Sequence, residues 1–335
     1  MEVTKMGKAQ YLLKRLLYII FVFFIISIIM FFIYKMMPGD PVELMIGDSK
    51  ANMKPDAYQA LYDRTAAMLN LDKPLPFQYT SWITNMLTGQ FGYSIQYKKP
   101  VIQVIGTPMS NTVLLNLFSM IVVFSIAIPL GIITAVRKNG WFDKTVQVLT
   151  IVGYSIPSFI IALLAIFLFA VKIPIFPISG VKTAGLDATG IQAVLDKVWH
   201  MALPVLVMSV SGIGGITRYV RAAMIDVLRM DYIKTARAKG LTEKVVIYIH
   251  AFRNAMIPIV TITTWWIIVL FGGSLVIESV FLWPGLGKML IDGLMTRDFA
   301  LVLTIQMFYV ILSLVGNVIM DIAYTLVDPR VRLEN

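Results

Sequence analysis

The 335-residue chain has no cysteine and only two histidines, His200 and His250. Without cysteine there is no disulfide scaffold, no thiolate-held zinc or iron–sulfur centre and no thiol nucleophile, and two histidines are too few for a histidine-built metal site. Charge is scarce too: 14% of residues are Asp, Glu, Lys or Arg against 58% hydrophobic, and the mean hydropathy is +0.78. A chain this apolar reads as a membrane protein rather than a water-soluble domain. The charge present is unbalanced, 29 basic against 19 acidic side chains, a net of +10. In a soluble protein that excess would suggest nucleic acid. Here membrane-insertion bias and attraction to anionic membrane lipids account for it, and no nucleic acid is expected as a partner.

What the chain has is long apolar stretches. Six of them carry no charge, at 16–34, 110–136, 145–171, 198–217, 254–277 and 299–320, and a membrane span needs about 20 such residues. The expectation is an all-α membrane protein of six transmembrane helices. The organisation that follows is an N-terminal segment 1–15, a first span 16–34, an outer segment 35–107, a core of spans two to six over 108–328 and a tail 329–335. With the N-terminus inside, the inner segments include Arg15, Arg137, Lys138, Lys144 and the basic stretch from Arg218 to Arg253. Their density of Lys and Arg is roughly two- to threefold that of the outer segments, which places both termini in the cytoplasm. The first span is too long for a signal-peptide core and is followed by Pro38-Gly39-Asp40-Pro41 instead of small residues, so it should remain attached. Prolines 129, 157, 204 and 258 interrupt four of the apolar runs and allow them to bend. Ser209, Ser211, Gly212, Gly214 and Gly215 on span four form a small-residue face for another helix, of this chain or of a second one.

The spans lack the ionisable residues at depth that a proton- or sodium-coupled carrier needs, and there is no Arg-rich voltage sensor or carbonyl-lined filter. Asp321 and Glu278 fall at span ends, where they are read as interfacial groups reaching water. The nearest approach to a phosphate loop, Pro284-Gly285-Leu286-Gly287-Lys288-Met289, lacks the first glycine and the Ser or Thr after the lysine, and falls on the outer side. The 20 Met and the 6 Trp, 14 Tyr and 19 Phe are spread over every span and are read as packing. Energy for any transport must therefore come from elsewhere; no cofactor is expected on this chain.

The informative inner stretch is 229–258. Asp231 is suited to cap a helix over 232–239, Gly240 to stop it, and Thr242 to cap the helix leading into span five. The result is a helix of about 12 Å along the inner surface. Lys234, Arg237 and Lys239 beside Ala236 and Ala238 make a compact basic surface, suited equally to a groove on another protein and to anionic headgroups.

These residues resemble the integral membrane subunits of bacterial ABC importers, and specifically the first permease of the dipeptide/oligopeptide/nickel group. Ala236 to Gly240 is similar to the family's cytoplasmic loop, written Glu-Ala-Ala, three residues, Gly, with Lys234 and Thr235 in place of its first two residues. The stretch His250-Ala-Phe-Arg-Asn-Ala stands where the loop's Ile-x-Leu-Pro tail would be; both departures are typical of the peptide group. Arg15-Leu16, Pro38-Gly39-Asp40-Pro41, Tyr219-x-Arg221, Asp231-Tyr232, the run from Glu278 through Phe281, Trp283, Pro284, Gly285 and Gly287, and Asp328-Pro329-Arg330 extend the likeness over nearly the whole chain. The resemblance implies a type I ABC importer permease fold in the bacterial cytoplasmic membrane, with a coupling helix between spans four and five. It also implies a second homologous permease, two cytoplasmic ABC ATPases that use ATP and magnesium, and an extracytoplasmic substrate-binding protein. On this basis Asp231, Tyr232, Thr235, Ala236, Arg237, Ala238, Lys239, Gly240 and Leu241 contact an ATPase, while His250, Arg253 and Asn254 brace the joint to span five.

The outer segment is long enough for a small helical cap, with 58–71 helical, and is expected to contribute a docking surface for the binding protein. Trp283 to Gly287 is expected as a turn at the outer mouth, with Trp283 as a gate or a membrane-interface anchor. Short peptides are the expected cargo, ahead of nickel, glutathione or small sugars. The competing class is a membrane scaffold or receptor whose basic loop binds lipid or protein, and behind it an autonomous channel or carrier.

Overall fold

A computed structural model describes residues 8–327. Residues 1–7 and the closing Asp328-Pro329-Arg330 segment, with Arg332 and the rest of the tail, lie outside the described residues. Four helices are long and apolar enough to cross a membrane: Leu13–Lys35 within α1 (Lys8–Lys35), α6 (Gly106–Val136), α9 (Ile191–Leu228) and Phe299–Met320 within α15 (Phe299–Val327). Two further pairs, Trp141–Ser155 with Ser158–Lys172 and Glu243–Met256 with Pro258–Val269, pass the same test but are bent by 97° and 48°. Among the described residues the candidate spans therefore number four, or up to six if each bent pair is one span.

The prolines divide into two kinds. Pro129 and Pro204 lie inside the continuous helices α6 and α9. Pro157 instead separates α7 (Trp141–Ser155) from α8 (Ser158–Ile166), because the residue before it, Ile156, takes an extended ψ of 127°. The fifth apolar run is not one helix to residue 277. After a π-helical segment Val246–Phe252, α12 covers Arg253–Val269, the chain opens over 270–274, and a short helix α13 covers Leu275–Val280. Asn116 of α6 makes this break possible: its Nδ2 donates to the carbonyls of Leu270 at 2.9 Å and Gly272 at 2.8 Å, replacing partners that the helix no longer supplies.

The described residues form two compact units. In the first, up to Met109 and with Met289–Val315, the segment after the first span folds into small helices. Asp40 caps α2 (Pro41–Ile46) by accepting from Val42 N at 2.8 Å, and α3 (Pro55–Met68) and α4 (Leu75–Leu87) follow. A two-residue hairpin of β1 (Tyr93–Ser94) and β2 (Lys99–Pro100) and a single turn α5 (Val101–Val104) complete it. Helix α4 packs on α1 through Phe31, whose ring meets Tyr79 and Trp82 at 5.6 and 5.8 Å. Hairpin and last helix are joined by Asp298, fully buried, which accepts from the Ser94 hydroxyl, from Gln96 N at 3.1 Å and from Leu301 N at 3.2 Å.

In the second unit, Ser110–Lys288 with the chain from Gly316, the main cluster joins Val123, Ala127 and Ile132 of α6 to Val220 and Met224 of α9 and Ala255 and Ile259 of α12. The small-residue face of α9 meets helices of its own chain. A Cβ on Gly214 would lie 2.7 Å from the Thr150 carbonyl of α7, and one on Gly212 would lie 2.8 Å from Val123. Gly215 has open space beside it.

Candidate functional sites: a short basic helix and a carboxylate clamp

The basic stretch after α9 forms α10 (Asp231–Ala238), followed by a single turn α11 (Glu243–Val245). Its stop matches the expectation. Gly240 adopts φ +76°, its N–H reaches the Arg237 carbonyl at 2.9 Å, and Leu241 N–H reaches the Ala236 carbonyl at 3.4 Å, the paired bonds of a glycine-terminated helix. Its start does not match: Met230 holds the cap position, and Asp231 is the first helical residue, where its carboxylate favours the positive helix end and pairs with Lys234 Nζ at 2.9 Å. That lysine also holds the Asp231 carboxyl below the usual carboxylate range. Thr242 stands at the cap of α11 without a side-chain bond to the backbone.

A period of three decides which face is rooted. Ile233 and Ala236 are buried in the main cluster with Val246, Ala251 and Ala255. Ala236 therefore belongs to the seat of the helix and not, as expected, to its docking surface. Tyr232, Lys234, Thr235, Arg237, Ala238, Lys239 and Leu241 remain exposed, with Arg237 Nε held to Glu243 Oε1 at 2.8 Å. His250 sits half-buried within the π-helical segment, and Asn254 Nδ2 donates to its carbonyl at 2.7 Å, satisfying a backbone acceptor where the helix changes pitch. Arg253 is exposed.

A neighbouring ion pair went unnoticed in the sequence. Arg221 of α9 grips Asp143 of α7 with two bonds, Nε to Oδ1 at 2.7 Å and Nη2 to Oδ2 at 2.8 Å, and Asn139 N–H donates to the same carboxylate at 2.8 Å. The two-pronged geometry ties the turn at 137–140 to the C-terminal part of α9.

The second site is built around Glu278. It was expected to reach water, but it is fully buried. Thr112 Oγ1 donates to its Oε1 at 2.8 Å, and Lys288 N–H, at the start of α14 (Leu286–Met295), donates to Oε2 at 3.0 Å. The Thr112 oxygen in turn accepts from Leu286 N–H at 2.8 Å. Gly285 and Gly287 permit the approach: a Cβ on Gly285 would lie 2.4 Å from Glu278 Oε2, and one on Gly287 2.8 Å from Leu275 N. The partial phosphate loop of the sequence is thus an anion cradle whose anion is the chain's own carboxylate. Burial pushes the Glu278 carboxyl above the usual range, opposed by these donors.

Trp283 and Phe281, expected as parts of an element at the outer mouth, are both buried. Trp283 Nε1 donates to the Asn111 carbonyl at 3.2 Å, Asn111 Nδ2 donates to the Pro284 carbonyl at 3.0 Å, and Lys197 Nζ donates to Asn111 Oδ1 at 2.9 Å. Trp283 is therefore fastened inside the second unit. The signal that could have revealed it is two glycines seven and nine residues after an isolated carboxylate in an apolar context.

The model of the binding-protein-dependent transport system inner membrane component matches residues 127–333, and that of the N-terminal part of such components matches residues 8–116. The chain belongs to this family. The permease is 38% identical over 324 residues, 96% of this chain and 99% of the relative, to the oligopeptide transport system permease protein AppB of Bacillus subtilis (strain 168). It is 35% identical over 325 residues, 97% and 99% of the two chains, to a Brucella suis biovar 1 (strain 1330) protein named as a peptide permease. Among solved structures, a chain of the MetNI methionine ABC transporter in an inward facing conformation aligns with a TM-score of 0.48 at 19% identity, over 66% of this chain and 97% of that one. The permease is a non-catalytic, multi-pass membrane subunit of an ABC transport system, whose ATPase is a separate subunit.

Proposed function

We propose that the permease imports short peptides as one half of a two-permease pathway, spanning the membrane six times with both termini in the cytoplasm. The peptide assignment is supported by the printed names of the relatives at 35% and 38% identity. The mechanism rests on one observation, that α10 is rooted on one face by Ile233 and Ala236 and bare on the other. A short helix held this way moves as a body with the inner ends of α6, α9 and α12. Its exposed face, Asp231, Tyr232, Thr235, Arg237, Ala238 and Lys239 with Gly240 and Leu241, seats in a groove of a cytoplasmic ATPase. Closure of the ATPases on ATP moves that helix, and the bundle follows from inward- to outward-facing. His250, Arg253 and Asn254 stiffen the passage into α12. Glu278, Phe281, Trp283, Pro284, Gly285 and Gly287 keep the outer end of the second unit fixed during the cycle. The outer segment receives a substrate-binding protein.

The test is Ala238→Trp, which places a large ring on the bare face without touching the seat or the Gly240 turn. In proteoliposomes containing the complete transporter, peptide uptake should fall at least tenfold while insertion and ATP hydrolysis persist. Uptake at the wild-type rate would remove α10 from the coupling path.

A further inference from the structure

The first unit contains a cavity of about 430 Å³ that none of the functions above uses. Its wall begins at Phe31, Tyr34 and Lys35 on the last turns of α1, passes Trp82 of α4 and includes Leu303 of α15. The end of α1 is where a 23-residue apolar span stops, and Tyr and Trp at that level mark the boundary between acyl chains and headgroups. Met68 and Leu69 line the cavity too and are exposed at 75% and 38%, an apolar lip at its mouth.

The wall also carries Asn70, Ser81, Asn85 and Gln90, but two other polar groups in it define what would fill it. The Lys35 ammonium lies 5.6 Å from the centre of the Phe31 ring, and no carboxylate among the described residues pairs with it. Gln78 is 9% exposed; its Nε2 donates to the carbonyls of Lys73 at 2.7 Å and Leu71 at 3.4 Å, and its Oε1 is buried without a partner. Two carbonyl partners fix the amide orientation, so the orphan is an acceptor awaiting a donor. The cavity thus offers an apolar bed, a cation and one buried acceptor. A peptide laid there would bring a backbone donor and acceptor with every residue into a largely apolar wall.

We propose that this cavity is a phospholipid site for phosphatidylglycerol, seating one acyl chain, with the phosphate against Lys35 and a glycerol hydroxyl donating to Gln78 Oε1. Phosphatidylcholine fits worse, because its headgroup has no hydroxyl or N–H to donate and adds a cation beside Lys35. The site does not depend on the cargo.

The test uses full-length permease in phosphatidylcholine nanodiscs containing increasing amounts of brominated phosphatidylglycerol, with the Trp82 emission isolated as the difference between wild type and Trp82→Phe. Quenching should saturate at a low fraction of brominated phosphatidylglycerol, and brominated phosphatidylcholine should need about fivefold more. Lys35→Gln should abolish that preference, and Ser81→Phe, which fills the cavity, should abolish saturation. Native mass spectrometry of the wild type should retain one phosphatidylglycerol that Lys35→Gln loses. Quenching that rises linearly and equally with either lipid, no retained lipid, or relief of quenching by a short peptide would each overturn the assignment.

Discussion

Replacing Thr112 with valine keeps the side-chain shape and deletes one hydroxyl, yet that hydroxyl has two obligations. It donates to Glu278 Oε1 at 2.8 Å and accepts from Leu286 N–H at 2.8 Å, and Thr112 and Glu278 are both fully buried. Losing a bond to a buried charged group costs about 1.5–3 kcal/mol, and leaving a buried N–H unpaired costs about 1–3 kcal/mol. With no solvent to step in, Thr112→Val should destabilise the permease by about 3–5 kcal/mol. At about 2–4 °C per kcal/mol this lowers the thermal midpoint by roughly 10 °C, readable in detergent from tryptophan fluorescence or retained monodispersity. Glu278→Gln places an amide against backbone donors and should cost a similar amount. Because the two residues share a bond, the double variant should fall short of the summed losses by at least about 1 kcal/mol. A Thr112→Val loss under about 1 kcal/mol, or strict additivity in the double variant, would show that the cradle contributes nothing to holding the loop.

Arg221→Lys keeps the charge but cannot reproduce the two-pronged grip on Asp143. It should destabilise the second unit by about 1–2 kcal/mol, with faster exchange of the amides at 139–143, and unchanged exchange would count against the tie. Asp298→Asn substitutes an amide for a carboxylate that accepts from Ser94, Gln96 and Leu301, so limited proteolysis should cut the 93–100 hairpin sooner than in the wild type; equal cutting rates would refute the anchor. Burial works to raise the Asp40 carboxyl, but the Tyr62 hydroxyl at 2.5 Å and the N–H groups of Val42 and Glu43 outweigh it and hold the pKa below its usual 3.8. A lowered acid contributes stability that is present above pH 3.8 and lost as pH falls through the folded value. Tyr62→Phe should therefore show a smaller stability loss on acidification than the wild type, and identical acid profiles would exclude the contribution.

Features set by neighbouring residues were legible in the sequence. Gly240 ends α10 through its own backbone conformation, the helix expected at 58–71 appears three residues earlier as α3 (Pro55–Met68), and the small face of α9 does admit close neighbours, because each depends on residues within a few positions. What escaped depends on partners far along the chain. Hydropathy assigns a lone carboxylate at the end of an apolar run to water, and nothing near Glu278 reveals that its hydrogen-bond donor, Thr112, lies 166 positions earlier. Asn116, which takes over the carbonyls released after Val269, reads as one polar residue in an apolar span until the break appears 153 positions later. Pro157 announced an interruption, but the turn of 97° is decided by the extended Ile156 before it. Small size in Ala236 suggests close approach without saying to what; the three-residue spacing from Ile233 assigns it to the seat of α10.

The way α10 is mounted also sets how much motion would be wasted. Its foundation is two apolar residues three apart, pressed into the cluster that α6, α9 and α12 share, and a densely packed interior has little compressibility. A push on the free side thus has no soft layer in which to dissipate, and displacement should pass on nearly undiminished. Hollowing out the mounting, as Ile233→Ala would, introduces slack: the same stroke would then deform the void before it moved the helices beyond.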